Sequence, residues 1–244
     1  MTNQIPKRLL QTPFHSRVAQ ACEQNHWEDW KGYTTPAVYT NVELEYFAMR
    51  NSASIFDLTP MTKYRITGVD AHAYLDRLVT RNLKNLKVDR VTYVAWCNDD
   101  GMVIDDGTIF RLGPETFILC SQERHLDWLE WSALGFNVRI EEATEQIAAL
   151  SFQGPTSCAI LKNMGLSGIE NLKPFDLTHF RFDESDLMVS RTGFTGDLGY
   201  ELWLDPENAE KLWDRLMEAG QHYDVKPIGS EALQIARVEA GFIQ

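Results

Sequence analysis

Cysteine is scarce in this 244-residue chain, and none of the four (Cys22, Cys97, Cys120 and Cys158) belongs to a C-x-x-C pair. That spacing argues against a disulfide framework or a zinc site and leaves reduced thiols in a cytoplasmic protein as the expectation. The six histidines are equally dispersed, with no H-x-x-x-H or H-E-x-x-H, so no metal site is expected. Basic residues are the minority, 23 against 35 acids, for a formal charge of −12. Phosphate backbones and anionic lipid surfaces would be repelled, so neither nucleic acid nor membrane is expected as a partner. No apolar run approaches a membrane span, and M-T-N-Q-I-P-K-R-L-L-Q-T-P contains no signal-peptide core. Also missing are a G-x-G-x-x-G opening a helix after a strand, a P-loop and a G-x-S-x-G elbow, which removes the usual nucleotide and hydrolase readings.

What is present is ordinary globular material, 44% hydrophobic and 24% charged, long enough for a large core and two domains. Apolar spacing predicts a helix over 14–26 after Thr12-Pro13, a second over 41–51, and a third after an Asp70 cap. The aromatic stretch W-E-D-W-K-G-Y-T-T-P-A-V-Y reads as irregular, broken by Gly32 and Pro36. S-I-F-D-L-T-P-M-T-K-Y-R-I-T-G reads as strand material ending at Gly68. Further short strands alternate with helices without a regular βαβ beat, which predicts an α+β fold.

Two stretches stand out. In C-N-D-D-G-M-V-I-D-D-G-T-I-F, Asp100-Gly101 is a hairpin turn signal between apolar arms. The second pair, Asp105-Asp106, is harder to place, because strand alternation sends one of two adjacent carboxylates to the buried face. Either a second turn or bulge occurs there, or a carboxylate is aimed into a pocket. The other stretch, R-T-G-F-T-G-D-L-G-Y-E over 191–201, reads as a glycine-rich hairpin. Its functional reading is that the glycines let backbone pass close to a flat ligand. Glu201 then accepts two adjacent N–H groups from that ligand.

R-T-G-F-T-G-D-L-G-Y-E resembles the R-T-G-Y-T-G-E-x-G-x-E signature of the glycine cleavage system T-protein family, tetrahydrofolate-dependent aminomethyltransferases. C-N-D-D-G-M-V-I-D-D is similar to that family's N-x-x-G-G-x-I-D-D segment. T-P-F, S-I-F-D-L-T-P-M, A-L-S-F-Q-G-P and I-A-R-V-E-A-G follow in family order. The resemblance implies α+β domains around a central folate cavity, with 1–50 and 147–244 forming one discontinuous domain and 51–146 another. The family continues into a C-terminal β-barrel domain, which a chain ending at Gln244 is expected to lack. The open side of the cavity would then be exposed, or covered in a homo-oligomer.

Carried over by resemblance, Asp106 is the catalytic carboxylate beside N5 of tetrahydrofolate, aimed inward by a turn. Asp105 is its solvent-side or turn-stabilising neighbour. Tyr93 lines the folate pocket, Phe194 stands where the family has tyrosine, and Glu201 grips the pterin. Trp27 and Trp30 are read as core aromatics or as a cation–π wall for the donor. The implied activity moves a methylene or methyl group from an amine or onium donor to N5. A small molecule or a lipoyl carrier protein would deliver that group. Two departures bear on this. Leu233 replaces the arginine of G-A-R-D, and K-R-L-L-Q-T-P-F-H-S-R-V is closer to the dimethylsulfoniopropionate-demethylase-like branch. A non-catalytic folate-binding regulatory or assembly protein of the same fold is the alternative.

Overall fold

The computed structural model describes residues 8–243, so the N-terminal run read for a leader segment lies mostly outside the described residues. Helix α1 (His15–Ala21) leads into a hairpin of β1 (His26–Trp30) and β2 (Tyr33–Val38). After it come α2 (Val42–Asn51), β3 (Ser54–Asp57), β4 (Thr62–Thr67) and α3 (Ala71–Leu78). Strands β5 (Arg90–Cys97), β6 (Val103–Gly113) and β7 (Thr116–Ser121) form a meander that continues through α4 (Leu126–Ser132) to β8 (Arg139–Glu142). The remainder holds β9 (Ala148–Gln153), α5 (Ser157–Asn163), β10 (Leu177–Phe182), β11 (Ser185–Ser190) and β12 (Gly199–Leu204). It closes with α6 (Ala209–Ala219), β13 (Lys226–Pro227) and α7 (Ser230–Ala240).

Two sheets carry the fold. One runs β10-β11-β12-β9-β3-β13, antiparallel except where β13 joins β3; the other, β5-β6-β7-β4-β8, is wholly antiparallel. This is an α+β architecture in which two sheets face each other across a shared core. Among the described residues no helix is long and apolar enough to cross a membrane.

The period of two along each strand divides side chains between layers. In β12, Tyr200, Leu202 and Leu204 enter the core beneath α5 and α6, while Trp203 enters the core between the sheets. Glu201 shares the Trp203 face and so points toward the second sheet. In β6, Phe110 joins the core between the sheets, whereas Ile109 joins the core under α3 and α4. Asp106 shares the Phe110 face and Asp105 the Ile109 face. Helix α6 closes the outer layer by burying Ala209, Leu212, Trp213 and Leu216, one helical stripe.

Several local expectations are corrected. The first helix stops at Ala21, and the aromatic stretch after it is a regular hairpin rather than an irregular segment. Lys31 (φ 55°) and Gly32 (φ 89°) form its two-residue turn, with Asp29 accepting the Gly32 N–H at 2.7 Å. A lysine at the first left-handed position is an uncommon choice, so composition concealed the turn. The material from Ser54 to Thr67 is split between the sheets, because the chain crosses over at 58–61. Asp70 makes no side-chain cap; its carboxylate accepts the Asn137 N–H at 2.8 Å instead.

Candidate active site

A cavity of about 710 Å³ opens where the two sheets meet, within the size range of small-molecule sites. Ser151 and Glu201 reach it from the six-stranded sheet, and Tyr93, Asp106, Thr108 and Cys120 from the five-stranded one. The 192–199 loop adds Phe194, α7 adds Leu233 and Gln234, and the β1–β2 hairpin adds Glu28, Asp29 and Trp30. Phe242 and Ile243 also line it, with Phe242 stacked on Phe194 at 5.3 Å between ring centroids. The chain therefore brings Asp106, Tyr93, Phe194, Glu201 and Trp30 onto one cavity. Trp27 is elsewhere: it packs against the outer core, faces His15 at 5.5 Å, and donates to Asn25 Oδ1 at 2.7 Å.

The Asp105-Asp106 pair is not in a turn. Both lie within β6, opposite Trp96 and Ala95 of β5, and the only irregularity in that pairing comes earlier, at Trp96/Cys97. Plain alternation sends the two carboxylates to opposite faces. Asp105 is neither solvent-facing nor a turn residue, being only 8% exposed. Its Oδ2 accepts the Glu123 N–H at 2.9 Å and lies 2.9 Å from His125 Nε2, and its Oδ1 accepts the Asp106 N–H at 2.8 Å. It ties β6 to the 123–125 loop and so fixes the backbone that presents Asp106.

Tyr93 pairs with Thr108 across β5 and β6, so its ring lies over the cavity face, and its hydroxyl donates to Asp106 Oδ2 at 2.6 Å. Burial raises the Asp106 carboxyl above the usual range. The Tyr93 hydrogen bond opposes that rise and nearby Asp105 adds to it. Burial also raises the Tyr93 hydroxyl, with Asp106 reinforcing the shift, so Tyr93 remains a proton donor to the carboxylate.

Glu201 is half-buried and lines the cavity. Burial pushes its carboxyl up to about 7, against the pull of Thr192 and Ser190. Thr192 Oγ1 donates to Glu201 Oε2 at 2.6 Å, and the Ser190 and Thr192 hydroxyls are 2.6 Å apart. No cation neutralises Glu201 within 4 Å among the described residues, so a ligand presenting N–H donors would find a ready acceptor.

Two glycines of the 191–201 stretch have a packing role in addition to lining the cavity. A Cβ on Gly193 or Gly199 would collide with the side-chain amide of Gln153. Gln153 is buried there and donates from Nε2 to the Thr192 and Tyr200 carbonyls at 3.2 Å each. Gln153 thus braces the loop that carries Phe194. Sequence reading placed Gln153 within A-L-S-F-Q-G-P without giving it a role, and it passed over the Glu28-Asp29 rim because that stretch read as irregular.

Gly107, beside Asp106, has a comparable constraint: a Cβ there would overlap the Cys120 carbonyl in β7. Gly107→Ala is expected to lower stability by about 1–3 kcal/mol as β6 and β7 separate. Chemical denaturation measures the loss. An unchanged midpoint would show that the strands adjust freely.

A two-sheet α+β domain with paired carboxylates across a central cavity is the class that fold and site define. The family model "GCVT N-terminal domain" matches residues 12–244, and the chain belongs to that family. It is 35% identical to the trimethylamine-oxide aldolase of Ruegeria pomeroyi, covering 98% of this chain and 32% of that protein. It is 33% identical to the aminomethyltransferase of Bacillus subtilis, covering 87% of this chain and 60% of the relative. The chain thus spans about 60% of the length of such aminomethyltransferases. The glycine cleavage system aminomethyltransferase T from Bartonella henselae superposes with a TM-score of 0.86 at 25% identity, over 97% of this chain and 64% of that one.

Proposed function

We propose that this chain provides the folate site of a tetrahydrofolate-dependent one-carbon transferase. The observation that carries the reading is the convergence of Glu201 and Asp106, from facing strands of two sheets, on one apolar cavity. The residues suit a tetrahydropterin. Ionised Glu201 accepts two adjacent N–H donors, while Phe194, Leu233 and Phe242 supply apolar walls. Bound tetrahydrofolate supplies the N5 amine that receives the one-carbon group.

The protein's own work is to position, desolvate and balance charge. Tyr93 holds one Asp106 oxygen, so the carboxylate faces the cavity in a set orientation. Asp106, with its raised affinity for protons, either takes a proton or offsets cationic charge during transfer. Trp30, 5.5 Å from Phe56, gives an aromatic face on the hairpin side, where Glu28 and Asp29 add negative charge. That side suits an amine or onium donor, free or carried on a lipoyl protein. Trp27 has no part in this arrangement. The two sheets are proposed as the cores of two units, with 58–61 and 143–147 as the crossings.

Leu233 favours a second reading, binding without transfer. It is 7% exposed and places an apolar side chain at the cavity wall. Titration with tetrahydrofolate by calorimetry tests both: saturable one-to-one binding is expected, and absence of heat at millimolar ligand would remove the folate site altogether. A donor screen on the bound form then separates transfer from binding alone.

A further inference from the structure

The 192–199 loop, which carries Phe194 to the cavity, has little backbone bonding of its own. Among the described residues, no backbone N–H from Gly193 to Asp197 donates a hydrogen bond within the protein. Such a loop takes its shape from the groups that hold its carbonyls. Gln153 Nε2 holds the Thr192 carbonyl, the Gly154 N–H holds that of Leu198 at 2.8 Å, and Arg50 Nη1 holds that of Thr195 at 2.8 Å.

Arg50 lies in the last turn of α2, outside the cavity lining, with a side chain 19% exposed. Its other donors reach acids on two separate segments. Nη1 donates to Asp197 Oδ2 at 2.5 Å, in the same loop, and Nη2 to Glu239 Oε2 at 2.7 Å, on α7. Tyr46, one turn earlier in α2, donates its hydroxyl to Glu239 at 2.8 Å, and its ring lies 5.4 Å from the Arg50 guanidinium. Gly196 sits so close to α7 that a Cβ there would come within 2.7 Å of the Ala240 methyl. One guanidinium fork thus joins α2, α7 and the loop. At the cavity the loop and the residues after α7 meet as Phe194 stacked on Phe242.

Isolated ion pairs at a surface contribute little. This fork differs, because it also holds a carbonyl in a loop that lacks ladder bonds. We infer that Arg50 is a positioning residue of the candidate site: it holds the 192–199 loop against α7 and so sets the wall formed by Phe194 and Phe242. It acts through the loop and not on a ligand. The effect on binding rests on the tetrahydrofolate reading; the clamp itself does not.

Wild type, Arg50→Met, Arg50→Lys and Asp197→Asn are compared by native-state chymotrypsin cleavage after Phe194, by tetrahydrofolate calorimetry and by denaturation midpoint. Arg50→Met is expected to speed cleavage at Phe194 and to weaken tetrahydrofolate, each by about tenfold. Arg50→Lys keeps the charge but loses the fork, so it should fall between. Asp197→Asn retains the bond to the Thr195 carbonyl and should shift both readouts the same way by less. Cleavage that rises equally at Phe110, buried in the other sheet, and in step with a lowered midpoint would make Arg50 a general stabiliser and overturn the inference. Unchanged cleavage at Phe194, or faster cleavage with undiminished affinity, would overturn it too. Wild type that binds no tetrahydrofolate would sink the folate reading, and cleavage at Phe194 alone would then decide the clamp.

Discussion

Asp106→Asn is expected to reduce one-carbon transfer by about a hundredfold or more while tetrahydrofolate affinity stays within a factor of a few. The amide keeps the size of the carboxylate and can still accept the Tyr93 hydrogen bond, at 2.6 Å in the native protein. It cannot take a proton or balance a cation. Burial raises the Asp106 pKa above its ordinary value, against the Tyr93 hydrogen bond, which favours its acting as a proton acceptor. Single-turnover transfer and equilibrium binding, measured on the same samples, separate the two effects. Asp105→Asn is the contrasting variant. It disturbs a buried carboxylate holding two backbone N–H groups and His125, so its main effect is expected on stability, about 1–3 kcal/mol. Asp105→Asn abolishing transfer in a fully stable protein would mean that the chemistry belongs to the other carboxylate.

Glu201→Gln is expected to weaken tetrahydrofolate binding by about tenfold or more and to remove a pH dependence that wild type shows. The Glu201 carboxyl ordinarily titrates at 4.5 and is pushed up to about 7 here. Only the ionised form accepts two N–H donors, so wild-type affinity should fall by about tenfold per pH unit below 7, with proton release on binding at pH 6. Calorimetry in buffers of different ionisation enthalpy reads that proton directly. In the variant, neither the slope nor the proton release should remain.

The ligand-free protein gives an independent reading of the same group. Between pH 4.5 and about 7 the folded state retains the Glu201 proton that the unfolded chain has lost. The associated stability is complete below 4.5, declines as pH rises through this window, and is constant above it. The span is roughly 2 kcal/mol once water in the cavity is allowed for. Glu201→Gln should show no such decline in denaturation midpoints. A wild type equally flat across the window would mean that Glu201 titrates as an ordinary surface acid.

The resemblance read from ordered motifs led to the family, and the family model spans residues 12–244. The hydrophobic period was sufficient for α2 and for the strands around Asp100. It failed at 27–39, where Lys31 and Pro36 disguise a regular hairpin, and that hairpin carries Glu28 and Asp29 to the cavity rim. It also failed to separate β3 from β4, because both are apolar and nothing local shows that the chain changes sheets between them.

By itself, the sequence determined residue types and, for any extended segment, their alternation; whether Asp105 and Asp106 lie in a strand or a turn it left open. Only the tertiary structure decided what each face meets. Asp105 is bound by a loop 18 residues farther along, while Asp106 meets a cavity closed by strands nearly a hundred residues away. The glycines at 193 and 199 are explained by Gln153, whose bulk they accommodate across strand pairing that no local pattern encodes. The reason is that alternation is a local steric property of extended backbone. Charge isolation and burial depend instead on which distant segments pack together.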